Sequence, residues 1–130
     1  MERVNPPGLA KPAGFSHAVV ATGTRTVYLA GQTALDGTGR LVGDDVVGQF
    51  EQALTNLLAA LASAGGNAEH LVRMTCYLVD VPDYRANSGA IGAVWRRLAG
   101  RDYPAMAAVG VTRLWDEDAL VELDGIAVLP

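Results

Sequence analysis

Between residues 46 and 61 apolar side chains recur at intervals of three and four: Val46, Phe50, Ala53, Leu54, Leu57, Leu58 and Leu61. That spacing is helical and gathers all seven on one stripe. Asp44 or Asp45 stands where an N-cap is wanted, and Gly65-Gly66 stops the run. A helix with one greasy stripe must cover something, and the rest of the chain supplies strands for it to cover.

The stretch HAVVATGTRTVYLAGQ predicts two β-rich runs, 17–21 and 26–31, folded into a hairpin about a Thr/Gly turn. LDGTGRLVG reads as loop, with Asp36-Gly37 as its turn signal. HLVRMTCYLVD, 70–80, is β-branched and aromatic, hence a strand. Pro82-Asp83 opens a second helix that runs to about Leu98. Gly89 and Gly92 each lower its propensity by roughly 1 kcal/mol relative to alanine, so packing must hold it. YPAMAAVGVTRL, 103–114, is a strand of small and branched residues. A polar turn, WDEDA, leads to the last strand, LVELDGIAV. The order β-β-α-β-α-β-β, with hairpins at both ends, predicts an α+β fold: a mixed sheet with two helices on one face. Residues 1–16 carry Pro6, Pro7, Gly8, Pro12 and Gly14 and form an extended N-terminal arm on a single domain, 1–130.

Half of the 130 residues are apolar. A small domain hides that much apolar surface with difficulty, so the expected state is an oligomer. Net charge is −4 and the cations are scattered, which argues against nucleic acid as a partner. Cys76 is the only cysteine, so no internal disulfide forms and the cytoplasm is the expected compartment. MERVNPPGLAKPAG has no apolar core like that of a secretory signal, and LLAALASAGG is too short to span a bilayer, so no membrane association is expected.

Chemical motifs are sparse. His17 and His70 have no second ligand at metal spacing, so no metal is expected. GTGRLVG lacks the Lys-Ser/Thr of a phosphate loop. Ser16 and His17 are adjacent on extended chain and point to opposite faces, which disfavours a nucleophile–base pair. Pattern alone gives an α+β oligomer and no reaction.

The residues taken together resemble the RidA family, also called the YjgF family, over about residues 12 to 128. SHAVVATGTRTVYLAGQTAL resembles its N-terminal hairpin, and EQALTNLLAALASAGGNAEHLVRMTCYLVDVPDYRANSGAI its first helix, third strand and second-helix start. YPAMAAVGVTRLWDEDALVELDGIAV resembles its closing strands. The strongest pieces are Gly31-Gln32, Ala64-Gly65, Asp80-Val81-Pro82-Asp83, Tyr103-Pro104, Arg113-Leu114 and Glu122. The resemblance implies a chorismate-mutase-like fold and a homotrimer with a central barrel, helices outside, and three small-molecule clefts between subunits. It also implies hydrolysis of reactive enamines or imines to ketoacid and ammonia, with no cofactor.

The family's motif reads Tyr/Phe-Pro-x-Arg-Ser-Cys-Val, and its arginine grips the substrate carboxylate. Here Met106 stands at the arginine, Ala107 at the serine and Ala108 at the cysteine. Ala30 replaces the serine before Gly31, and His17 replaces the first-strand tyrosine. An arginine–carboxylate hydrogen bond contributes about 1.5–3 kcal/mol net. A methionine offers dispersion and a weak acceptor. A carboxylate against Met106 loses water and gains no donor there. The expectation is poor hydrolysis of simple 2-imino acids and a preference for a neutral or more apolar molecule.

Glu122, on the last strand, is the candidate general base, and His17 a candidate proton carrier. Without the resemblance, Glu122 reads as a solvated strand carboxylate and His17 as a structural or exposed histidine. Gly31 and the backbone near Ala108 are candidate oxyanion donors, although a glycine there also suits a tight bend. Ser88, or Asn87 beside it, is a candidate ligand contact. Arg25, Arg101 and Arg113 are candidate replacement cations, with surface exposure as the ordinary alternative. Cys76 reads as buried, inert and away from the motif. A non-catalytic ligand-binding role on the same fold is the alternative. Ribonuclease activity, also ascribed to the family, gains no support from an acidic chain.

Overall fold

The computed structural model describes all 130 residues. Helix α1 runs Val46–Ser63, and Asp45 caps it by accepting the Gly48 N–H at 2.8 Å. Gly65 turns out of the helix at φ +92°, a left-handed conformation, and the Gly66 N–H reaches back to the Leu61 carbonyl. Phe50, Ala53, Leu54, Leu57 and Leu61 are all buried, so the stripe read from the sequence is the core-facing side. Each large side chain on it contributes about 1.5–3 kcal/mol by leaving water.

The stripe packs on a four-stranded sheet. Its strands are β3 (Arg25–Gln32), β4 (Leu71–Leu78), β5 (Ala105–Gly110) and β6 (Val121–Leu129), in the order β3-β6-β4-β5. The β4–β5 pair is parallel and the others are antiparallel, so the sheet is mixed and the fold is α+β. Strand β6 shows the alternation that places the candidate site. Val121, Leu123, Ala127 and Leu129 are buried towards α1, while Glu122 and Asp124 lie half-buried on the opposite face. Helices α2 (Val81–Ala86) and α3 (Ser88–Ala99) carry the chain across from β4 to β5.

Both predicted hairpins are corrected. The first two runs are strands, but β2 (Ala18–Val20) pairs with β1 (Glu2–Val4) at the start of the arm. Strand β3 pairs with β6 instead. The intervening turn is pinned to the end of β6. The Thr24 N–H donates to the Leu129 carbonyl at 3.0 Å, and a Cβ on Gly23 would fall 2.2 Å from that oxygen. The chain therefore leaves β2 without doubling back on it. At the other end β5 pairs with β4, because long amphipathic β6 takes the central place between β3 and β4. The second helix is broken at Asn87, whose amide donates to the Asp83 carbonyl. Ile91, Val94 and Trp95 bury the face of α3 that compensates its glycines.

The arm is tied down far along the chain. Arg3 donates to the carbonyls of Tyr103 and Glu69. Ser16 donates its hydroxyl to the Tyr103 carbonyl at 2.7 Å and its N–H to that of Pro104 at 2.9 Å.

Candidate functional site

These ties hold Ala13, Gly14 and Phe15 against the start of β5 and complete a cavity of about 510 Å³. That lies within the usual range for small-molecule pockets. Met106 and Ala108 project into it from one face of β5, at the strand's period of two. Trp95 stacks on Tyr103 with ring centroids 5.9 Å apart, and Phe50 meets Tyr84 edge-on at 6.2 Å. Cys76 sits behind this wall, in register with Ala108, so it is not away from the motif. Burial pushes its thiol up to about 12, and burial also raises the neighbouring Tyr84 hydroxyl. Both stay neutral at physiological pH, so this wall is uncharged.

Arg96 is the one charged side chain on the lining. It comes from α3, where Gly92 leaves room for it: a Cβ there would lie 3.3 Å from Arg96 Nη1. Arg25, Arg101 and Arg113, the cations singled out from the sequence, do not line the cavity. The signal for Arg96 was the spacing of Gly89, Gly92 and Arg96 on one helical face. The buried Trp95 Nε1–H, on the same helix, has no partner in the chain.

A second cluster lies on the other face of the sheet. A Cβ on Gly31 would stand 2.7 Å from Glu122 Oε2, so the glycine exists here to admit the carboxylate. Burial, and then the charges of Asp116 and Asp124, raise the Glu122 carboxyl above its ordinary value. Asp116 accepts the Thr33 hydroxyl at 2.6 Å, and Asp124 accepts the Tyr77 hydroxyl at 3.0 Å. A carboxyl among fixed carboxylates holds its proton to higher pH, which suits proton transfer. Gly31→Ala is expected to push the carboxylate outward and lower its pKa. Stability should change by no more than about 0.5 kcal/mol, because the displaced atoms end a flexible side chain. Carboxyl NMR titration and a melting curve check both parts.

The chain thus separates the residues grouped from the sequence. Met106, Ala108 and Ser88 line the cavity; Gly31 and Glu122 meet on the opposite face. Ala107 is in register with Thr75 and faces away from Met106, and Ala30 is exposed near the end of β3. Neither belongs to the Met106 wall. Asn87 is held by Asp83. His17 donates Nε2–H to the Ala10 carbonyl at 2.7 Å and stands edge-on to Phe15, one ring removed from the cavity.

The family model described as Endoribonuclease L-PSP matches residues 8–129. The chain belongs to the RidA/YjgF family. Among Rid relatives, the RutC family protein UK114 of Drosophila melanogaster is 38% identical over 92% of this chain and 83% of its own. The 2-iminobutanoate/2-iminopropanoate deaminase of Capra hircus is 35% identical over 88% of this chain and 79% of its own. The crystal structure of the Rid protein YyfB from Yersinia pestis covers 98% of both chains at 36% identity, with a TM-score of 0.87. The α+β class inferred from the sequence is the fold of these Rid neighbours.

Proposed function

We propose that this Rid chain is a cytoplasmic homotrimer that hydrolyses imines, enamines or activated carbonyls of small molecules in clefts between subunits, without cofactor. Two of its relatives are named 2-iminobutanoate/2-iminopropanoate deaminases. The observation that carries the proposal is Met106 on the cavity wall beside Ala108. It offers apolar contact where the family's motif has a cation, so short 2-imino acids bind poorly there.

Within one chain Glu122 and Met106 occupy opposite faces of the sheet. In this reading a ligand beside Met106 is reached by the Glu122 of a neighbouring copy, so the catalytic role requires the oligomer. Glu122 takes a proton from water as its oxygen bonds to the C=N carbon. Glu122 hands that proton to the nitrogen, giving a carbinolamine. It then passes the hydroxyl proton to the same nitrogen as the C–N bond breaks, so that ammonia leaves a carbonyl product. The Gly31 backbone stands beside that carboxylate and Ser88 beside the ligand.

The test is turnover of freshly generated 2-iminopropanoate by wild type and Met106→Arg, beside the goat deaminase. The variant is expected to gain about tenfold or more in kcat/KM. Wild-type turnover equal to the goat enzyme's sinks the proposal. A binding role without turnover is the second reading, favoured by the distance Glu122 keeps from the cavity within one chain.

A further inference from the structure

We propose that Arg96 gives this cavity a new anchor for an anion, moved from the strand to helix α3, and that the cavity takes an acid with a bulky apolar or aromatic body. The inference deepens the proposed function and rests on it.

Arg96 is the only charged side chain on the lining, and its Nη1 sits over Gly92 on the same helix. No hydrogen bond or ion pair in the chain holds its guanidinium, whereas neighbouring Arg97 is paired with Glu51. Gly89, on the same face one turn earlier, has open space where a side chain would stand. Two glycines in succession along that face keep the approach to the guanidinium clear. A planar donor fork that is free to turn suits a carboxylate.

The other walls set the rest of the ligand. Phe15, Trp95, Tyr103 and Met106 present rings and a thioether. A carboxylate held at Arg96 leaves its own carbon skeleton against these groups. A two- or three-carbon acid bound at Arg96 has too little skeleton to use them. Removing the strand cation and placing one on the helix therefore selects longer acids over short ones, and does not exclude acids as a class. The cavity volume, about 510 Å³, accommodates an aryl-alkyl acid.

Calorimetric titration of the intact protein with 3-phenylpropanoate, 3-phenylpropanamide and propanoate tests this. The acid is expected to bind about five- to tenfold more tightly than its amide, and at least tenfold more tightly than propanoate. The acid–amide preference should shrink in 0.5 M salt through screening. Arg96→Gln should bring acid and amide within about twofold of each other, while Arg97→Gln keeps the preference. Equal binding of acid and amide by wild type overturns the inference and leaves the cavity as a ligand site. A preference that survives Arg96→Gln overturns it too. Failure of all three probes to bind wild type overturns both the inference and the function it rests on.

Discussion

Glu122→Gln is expected to lower kcat by about 10²- to 10⁴-fold and to leave ligand affinity within a few-fold of wild type. Glutamine keeps the side chain's shape beside Gly31 but cannot take a proton from water. A catalyst loses turnover and keeps its ligand; a binding protein has no turnover to lose. Steady-state rates and titration of a bound probe on the same sample separate the two readings of function. Stability supplies an independent check. The folded carboxyl is raised above its ordinary value of 4.5, so the folded chain holds this proton more tightly than the unfolded one. Its contribution is fully present below the unfolded pKa and is lost as pH rises through the folded one. The variant never pays that loss. Its melting temperature relative to wild type should therefore climb from pH 4 to pH 7. A flat difference across that range removes the case for a perturbed carboxyl.

Phe50→Ala is expected to cost about 3–5 kcal/mol, a large share of the 5–15 kcal/mol typical of a domain. Phe50 is 1% exposed on the core stripe of α1 and also reaches the cavity, where it meets Tyr84. Its loss leaves a void that the helix and sheet, locked by Leu54 and Leu57, close only in part. The melting temperature should drop on the order of 10–20 °C. Chemical denaturation should show a lower midpoint with an unchanged slope. A loss below about 1 kcal/mol places the ring outside the packed core.

Helix α1 was legible because its stripe is buried at every position but half-buried Leu58, so periodicity and packing say the same thing. The same holds for β6, where Val121, Leu123, Ala127 and Leu129 alternate with Glu122 and Asp124. Strand pairing was not legible. Three-residue β2 has too little pattern to choose a partner, and the contact that steers it, Gly23 against Leu129, joins opposite ends of the chain. The resemblance led to Met106, Ala108 and Ser88, which the fold does bring to one cavity. Parity alone places Ala107 on the other face, since it lies between Met106 and Ala108 on a strand. Arg96 was hidden because helical position, not motif, marks it. Glu122 and Gly31 were singled out separately, as base and oxyanion donor; that the carboxylate occupies the place of Gly31's absent Cβ shows only in three dimensions.

The ties from Arg3 and Ser16 to the start of β5 hold Phe15 in the cavity wall. Whatever tugs on the amino end is thereby felt by the bound molecule. A purification tag fused ahead of Met1, or a protease that trims the first few residues, should weaken binding as surely as a substitution inside the pocket. Assays on tagged and cleaved preparations belong side by side before any affinity is credited to the native chain.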